Sequence, residues 1–217
     1  MPITFSEINF TSENNRIVEV NIPLANENGA VTESINSAIK GYVNTALLIG
    51  ESKNSTVKSI EISIEDFNAA NTNFINDFPD SSQEWEAQID GEIIFKTPDI
   101  ISVSLTSYIN TGGAHGNLNI SFLNFNASTG ELIENSKLFT DIDAFKTIAK
   151  KHFDASVKDK ELFFDNEDFQ FPKNIGYSDD GIILLYNIYE IAPYPTGIIE
   201  FSIPFEKAKP YLVFNNF

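Results

Sequence analysis

The side chains best equipped for chemistry are few. The chain has two histidines, no cysteine and a single tryptophan, so it offers no thiolate nucleophile, disulfide or Cys-based zinc site. His115 lies in "TGGAHG" (residues 111–116) and His152 in "AKKHFDAS", beside Lys150 and Lys151. A Ser-His-Asp triad would draw its base from one of these two, yet no G-x-S-x-G elbow occurs. His152 reads as a solvated residue on a helix face. His115 follows two glycines and is the better candidate, but no second histidine is near it in sequence to build a metal site. The glycines alone do not make a phosphate loop, because G-x-x-x-x-G-K-[ST] is missing. The acidic run Asp165, Asn166, Glu167 and Asp168 offers oxygen ligands without the order of an EF-hand, and reads as a hydrated loop. No catalytic residue, no metal ligand and no cofactor is therefore assigned. Trp85 and the run "YNIYEIAPYP" are the aromatic alternatives: a stacking platform for sugars, or strand residues packed in a core, the commoner use.

Charge narrows the partners. Against 31 acidic residues stand 14 basic ones, a net charge of −17, which repels phosphate backbones and anionic headgroups and would favour a basic partner. No run approaches the ~20 apolar residues of a membrane span, and "MPITFSEINF" lacks the basic and apolar regions of a signal peptide. With 42% hydrophobic residues and 19 Phe, the chain can bury a sizeable core.

Elements to position these residues follow from periodicity. "RIVEVNIPL" alternates as a strand over 16–24. Residues 31–49 carry Ile35, Ile39, Tyr42, Val43 and Leu47 at helical spacing, with Thr32 or Ser34 as cap and Gly50 at the end. A second helix is expected over 56–78, ended by Pro79, although "IEISI" also suits a strand. The period then changes to two. "EWEAQIDGEIIF", "DIISVSLTSYI" and "NLNISFLNF" read as strands, with Asp90-Gly91, Thr97-Pro98-Asp99 and Ser128-Thr129-Gly130 as turns. "TDIDAFKTIAKKHF" is a third helix over 141–155, capped by Thr140 or Asp141. A Phe-rich irregular segment leads into the hairpin "IILLYNIYEIAPYPTGIIEFSIPF", and "EKAKPYLVF" suits a short final helix limited by Pro210.

Early helices, later strands and no regular βα alternation predict an α+β fold: one compact unit, two to three helices packed on an antiparallel sheet built mostly from 84–126 and 181–203. Residues 1–15 read as an N-terminal extension and 16–217 as a single domain. The expected core includes Ile35, Ile39, Val43, Val103, Leu105, Phe122, Phe145, Ile148, Leu184, Tyr186 and Phe201. "TGGAHG" is expected to be a hairpin connection whose glycines supply positive φ or close approach. "YEIAPYPTG" is expected to be a shaped connection between two strands.

Two stretches look familiar as motifs. Tyr108 through Gly116, with TGGAH intact, and Tyr186 through Gly197 resemble a bacterial envelope family of unknown function, number 3298 in the domain-of-unknown-function series; the likeness spans about 101–213. "VEVNIPLANENGAVTESINSAIKGYV" resembles the associated N-terminal region numbered 4163, over about 16–100. The family unit is similar to the extracellular part of lysozyme-sensing anti-sigma factors and to the non-catalytic region preceding some peptidoglycan deacetylase domains. The resemblance implies an exported module at the periplasm or cell surface, lipid-anchored in its precursor. It would bind a cell-wall component such as a peptidoglycan fragment, or a basic protein such as lysozyme, without acting as an enzyme and without binding nucleic acid. Two things are missing from the chain: a transmembrane helix with a sigma-binding segment, and the Asp/His metal set of a deacetylase domain. If the two motif connections lie at one end of a sheet, Tyr108, Thr111, Gly112, Gly113, His115, Tyr189, Glu190 and Tyr194 would form a composite surface. Alternatives are a glycan hydrolase or deacetylase using His115, and a purely structural lipoprotein domain.

Overall fold

A computed structural model describes residues 3–50, 58–158, 160–165 and 168–217. The described residues form eight strands in two sheets, a mixed α+β architecture. In chain order these are β1 (Phe5–Phe10), β2 (Val18–Ala25), α1 (Ala30–Ala46), α2 (Ile60–Asp77), β3 (Trp85–Lys96), β4 (Ile100–Thr111), β5 (Asn117–Asn126), α3 (Ile142–Ser156), β6 (Asn174–Tyr177), β7 (Gly181–Tyr186), β8 (Ile199–Pro204) and α4 (Phe205–Ala208). The first sheet has the order β1-β2-β3-β4-β5 and the second β6-β7-β8. Contacts divide the chain into two compact units, 1–92 with 105–119, and 93–104 with 120–217.

In the first unit, β1 pairs antiparallel with β2, Phe5 opposite Ala25. The N-terminal extension expected over 1–15 thus contains an edge strand. Its side chains are mostly exposed, so no alternation of apolar residues marked it. β2 pairs with β3 in parallel, Val18 opposite Ala87. A parallel pair needs a long crossover, and α1 and α2 supply it. This pair departs from the antiparallel expectation; the sheets are otherwise mostly antiparallel.

The helices form for local reasons. α1 buries Ile35, Ile39 and Val43 at spacings of four, the stripe that packs on β2. Its N-cap is Gly29 rather than Thr32 or Ser34. Thr32 sits inside the first turn, its hydroxyl donating to the Glu27 carbonyl at 2.6 Å. In α2, Ser59 caps the start by accepting from the Ile62 N–H at 3.4 Å, which settles "IEISI" as helix. Phe67 and Phe74 flank Trp85, with ring centroids at 5.6 and 5.5 Å. Asp90-Gly91 is no turn, because β3 runs straight through it. A Cβ on Gly91 would stand 2.7 Å from Pro23 Cδ and 2.8 Å from Leu105 Cδ2. Glycine is there to let neighbouring side chains cross the strand.

The second unit is built around phenylalanine. Phe145, Ala149 and Phe153 line one face of α3 and join Phe95, Phe139, Tyr177, Tyr186 and Phe201 in one core. Asp141 caps α3, its carboxylate accepting from the Ala144 N–H at 2.9 Å. The irregular stretch before β6 is pinned through Phe163 and Phe169, whose rings lie 5.9 and 5.2 Å from that of Phe153. Ile148 and Phe122 of the expected core are only half-buried, while the other nine are buried.

The expected single sheet from 84–126 and 181–203 is two sheets. The physical reason lies in asparagine side chains. Asn174 Oδ1 accepts from the Phe122 N–H at 2.7 Å, and Asn174 Nδ2 donates to the Ile120 carbonyl at 2.6 Å. Asn187 Oδ1 accepts from the Ile120 N–H at 2.8 Å. Side-chain amides therefore satisfy the β5 backbone here, and the β6–β8 strands keep their ladder bonds for one another. Beneath them Asn124 is buried, accepting from Ser102 Oγ at 2.8 Å and donating to the Ile175 carbonyl at 2.7 Å.

Candidate functional site

"TGGAHG" connects β4 to β5, as expected of a hairpin. Gly112 has φ +84°, and its N–H donates to Asn110 Oδ1 at 3.0 Å. A Cβ at Gly112 would also meet the Gln83 side chain at 2.5 Å. Gly116 is buried, and a Cβ there would enter the Tyr108 ring. One glycine thus serves conformation and the other close approach. Gly113 has room for a side chain, with only the His115 carbonyl near, at 3.6 Å. Thr111 and His115 are exposed and Tyr108 is half-buried. Among the described residues no three His, Asp or Glu side chains converge where a metal could sit. His152 is half-buried on α3. Asp165 and Asp168 are exposed; Asn166 and Glu167 of that run lie outside the described residues.

The connection between β7 and β8 is more strongly shaped. Its first turn closes reciprocally: Glu190 N–H donates to the Asn187 carbonyl at 3.0 Å, and Asn187 N–H donates to Glu190 Oε2 at 2.9 Å. Glu190, a candidate binding residue, thereby holds the turn. Tyr189 between them has φ +68°, the one non-glycine with positive φ among the described residues. A bulky side chain in this region costs roughly 1–3 kcal/mol, yet Tyr189 is 55% exposed and gains little from burial. Its ring lies 5.7 Å from that of half-buried Tyr194. Ile191 and Ala192 are buried and anchor the connection. Gly197, at φ +74°, returns the chain to β8.

A third ring was missed in the sequence. Phe164 N–H donates to the Ile191 carbonyl at 2.9 Å, and Phe164 is 63% exposed. The doublet Phe163-Phe164 was its signal, one ring facing the core and the next facing out. Tyr186, by contrast, is core: its hydroxyl donates to the Gln170 carbonyl. Burial, with the Glu190 charge second, pushes its phenol up. Trp85 is core too, 8% exposed. The aromatic candidates therefore divide: Trp85 and Tyr186 pack inside, and Tyr189 and Tyr194 form a pair at the surface of the second unit. Tyr108, Thr111, Gly112, Gly113 and His115 belong to the first unit, whereas Tyr189, Glu190 and Tyr194 belong to the second.

Residues 10–118, just over half of the chain, match the family model described as deacetylase PdaC, and residues 131–206 match the model described as a protein of unknown function, DUF3298. The chain belongs to the PdaC family and carries a DUF3298 region. Two solved structures share its fold. A DUF3298 family member from Bacteroides fragilis is 20% identical, with TM-score 0.68, covering 98% of this chain and 94% of that one. A DUF3298 family protein from Pseudomonas aeruginosa is 17% identical, with TM-score 0.62, covering 99% of this chain and 95% of that one. No curated protein matches the sequence significantly.

Proposed function

We propose that the protein is a non-catalytic binding module of the bacterial envelope, exported and lipid-anchored, that recognises a cell-wall component or a basic protein such as lysozyme. The observation that carries this is Tyr189. A tyrosine held at φ +68°, exposed, and paired with Tyr194 is poorly explained by stability. It suits a preformed aromatic surface, because the backbone carrying the ring is already held in its turn and need not be ordered on contact. Phe164, 63% exposed and tied through its N–H to the Ile191 carbonyl, adds a further exposed ring beside the backbone of the same connection. Net charge −17 would speed encounter with a basic protein and make it salt-sensitive. The test is calorimetric titration of the full chain with soluble muropeptides and with lysozyme, for the native protein and Tyr194→Ala. Saturable binding weakened at least tenfold by the substitution is expected; no binding to either ligand at low salt overturns the proposal.

The family's deacetylase description favours a second function, removal of acetyl groups from a glycan. It would use His115, exposed on its hairpin, as the acid or base. Acetate release from an N-acetylated glycan, abolished by His115→Ala, would establish it.

A further inference from the structure

Helix α2 carries a composition at odds with its own stability. Its C-terminal half reads "NAANTNFIND", and Asn68, Asn71, Asn73 and Asn76 all fall within the helix. Asparagine in a helix interior costs up to roughly 0.7 kcal/mol each relative to alanine, because its amide competes for backbone hydrogen bonds. One of the four has a structural reason: Asn68 Oδ1 accepts from the Arg16 N–H at 3.2 Å, and Nδ2 donates to the Ile64 carbonyl at 2.7 Å. The other three, with Asn14, Arg16 and Glu65, line an open groove of about 610 Å³, within the size range of small-ligand sites. Asn73 and Asn76 are exposed. Asn71 Oδ1 is shut away from solvent with no hydrogen-bond partner among the described residues, so the amide acceptors open to a ligand are those of Asn73 and Asn76 rather than Asn71. Arg16 is the sole arginine of the chain, and no ion pair involves it among the described residues.

We infer that this groove is a binding site for a neutral saccharide. A carboxamide presents an acceptor and two donors side by side, matching the hydroxyls of a sugar, each both donor and acceptor. Arg16 and Glu65 add one charged donor and one charged acceptor, which strengthen hydrogen bonds to neutral hydroxyls. The groove holds both signs, and the protein around it is strongly negative, so polyanions are disfavoured. Ile75 also lines it and is 50% exposed, giving the C–H face of a sugar ring an apolar contact. The inference rests on the proposal of a wall-binding module and assigns it a second site, in the first unit.

The probe is a β-1,4-linked trimer of N-acetylglucosamine, titrated into the full chain by calorimetry and by amide chemical shifts. The variants are Asn73→Ala with Asn76→Ala together, Arg16→Ala, and Tyr194→Ala. Alanine at 73 and 76 raises helix propensity, so the double variant keeps or increases its melting temperature. It is expected to bind the trimer at least tenfold more weakly, as is Arg16→Ala, while Tyr194→Ala retains this binding. Trimer binding that survives the groove variants and falls with Tyr194→Ala overturns the groove and leaves the wall-binding module intact. Failure of the native protein to bind the trimer also overturns the groove, and the muropeptide and lysozyme titrations then judge the wider proposal separately. Preference for a uronate oligomer of equal length over the neutral trimer overturns the assignment of ligand class.

Discussion

At single positions in this protein a side chain carries a steric cost that can be tested by substitution. Tyr189 sits in the left-handed region at φ +68° with its ring largely in water. Replacing it with glycine removes the steric cost, offset by the greater freedom of glycine in the unfolded chain. Tyr189→Gly is therefore expected to leave stability unchanged or raise it by up to about 1 kcal/mol, read by chemical denaturation, while weakening ligand binding. A loss above 1 kcal/mol would mean the ring is structural. Gly116 is the opposite case. An alanine Cβ there meets the Tyr108 ring, so Gly116→Ala should cost about 1–3 kcal/mol through overpacking. Combined with Tyr108→Ala, the penalty should fall well short of additive, because the two changes share one contact. Additive losses in that double-mutant cycle would place the strain elsewhere in the hairpin.

Elements were legible wherever burial imposed a clean period. α1 and α3 follow directly from Ile35, Ile39 and Val43 and from Phe145, Ala149 and Phe153, residues that are all buried. Asp141 marked the start of α3, and Asp141→Ala should cost about 1 kcal/mol by thermal melting; no change would mean another group caps the helix. β1 carried no such period, because it is a mostly exposed edge strand. Asp90-Gly91 carried the wrong signal, since a glycine also serves where neighbouring side chains leave no room for a Cβ, which at Gly91 would stand 2.7 Å from Pro23 Cδ. The division into two sheets could not be read at all. It depends on Asn174 and Asn187 offering side-chain amides to β5 at distances of 2.6 to 2.8 Å, and asparagines at strand ends look alike in a sequence. Of the candidate site, the loop conformations were legible and the exposed rings and amides were not. The glycine roles in "TGGAHG" and the bend at Tyr189 were readable from residue type, whereas Phe164 and the amide face of α2 were not, because only the apolar stripe of a helix declares itself.

At the scale of the whole molecule, electrostatics adds modestly to stability and would set the rate of encounter with a basic partner. Hydrogen bonds from Lys150 and then Lys160, at 2.6 and 2.7 Å, hold the Asp154 carboxyl below its ordinary 3.8. A lowered folded-state value contributes stability that is present above about pH 4 and lost as pH falls through the folded value. Because Asp154 is 45% exposed, solvent screens much of this. Asp154→Asn should thus slightly lower stability at pH 6 and make no difference near pH 2; an equal loss at both pH values would rule out the ionised pair as its source. The excess of 31 acidic over 14 basic residues acts at longer range, and its effect on a basic partner should fade as salt rises from 20 to 500 mM, in step with a Debye length that shrinks from tens of ångströms to a few. The most direct measurement is the calorimetric titration of the full chain with soluble muropeptides and with lysozyme at low salt, repeated for Tyr194→Ala. Saturable binding to one of them, weakened at least tenfold by the substitution, is expected of a binding module with its aromatic surface at Tyr189 and Tyr194. No heat and no binding with either ligand, or binding untouched by Tyr194→Ala, would contradict it.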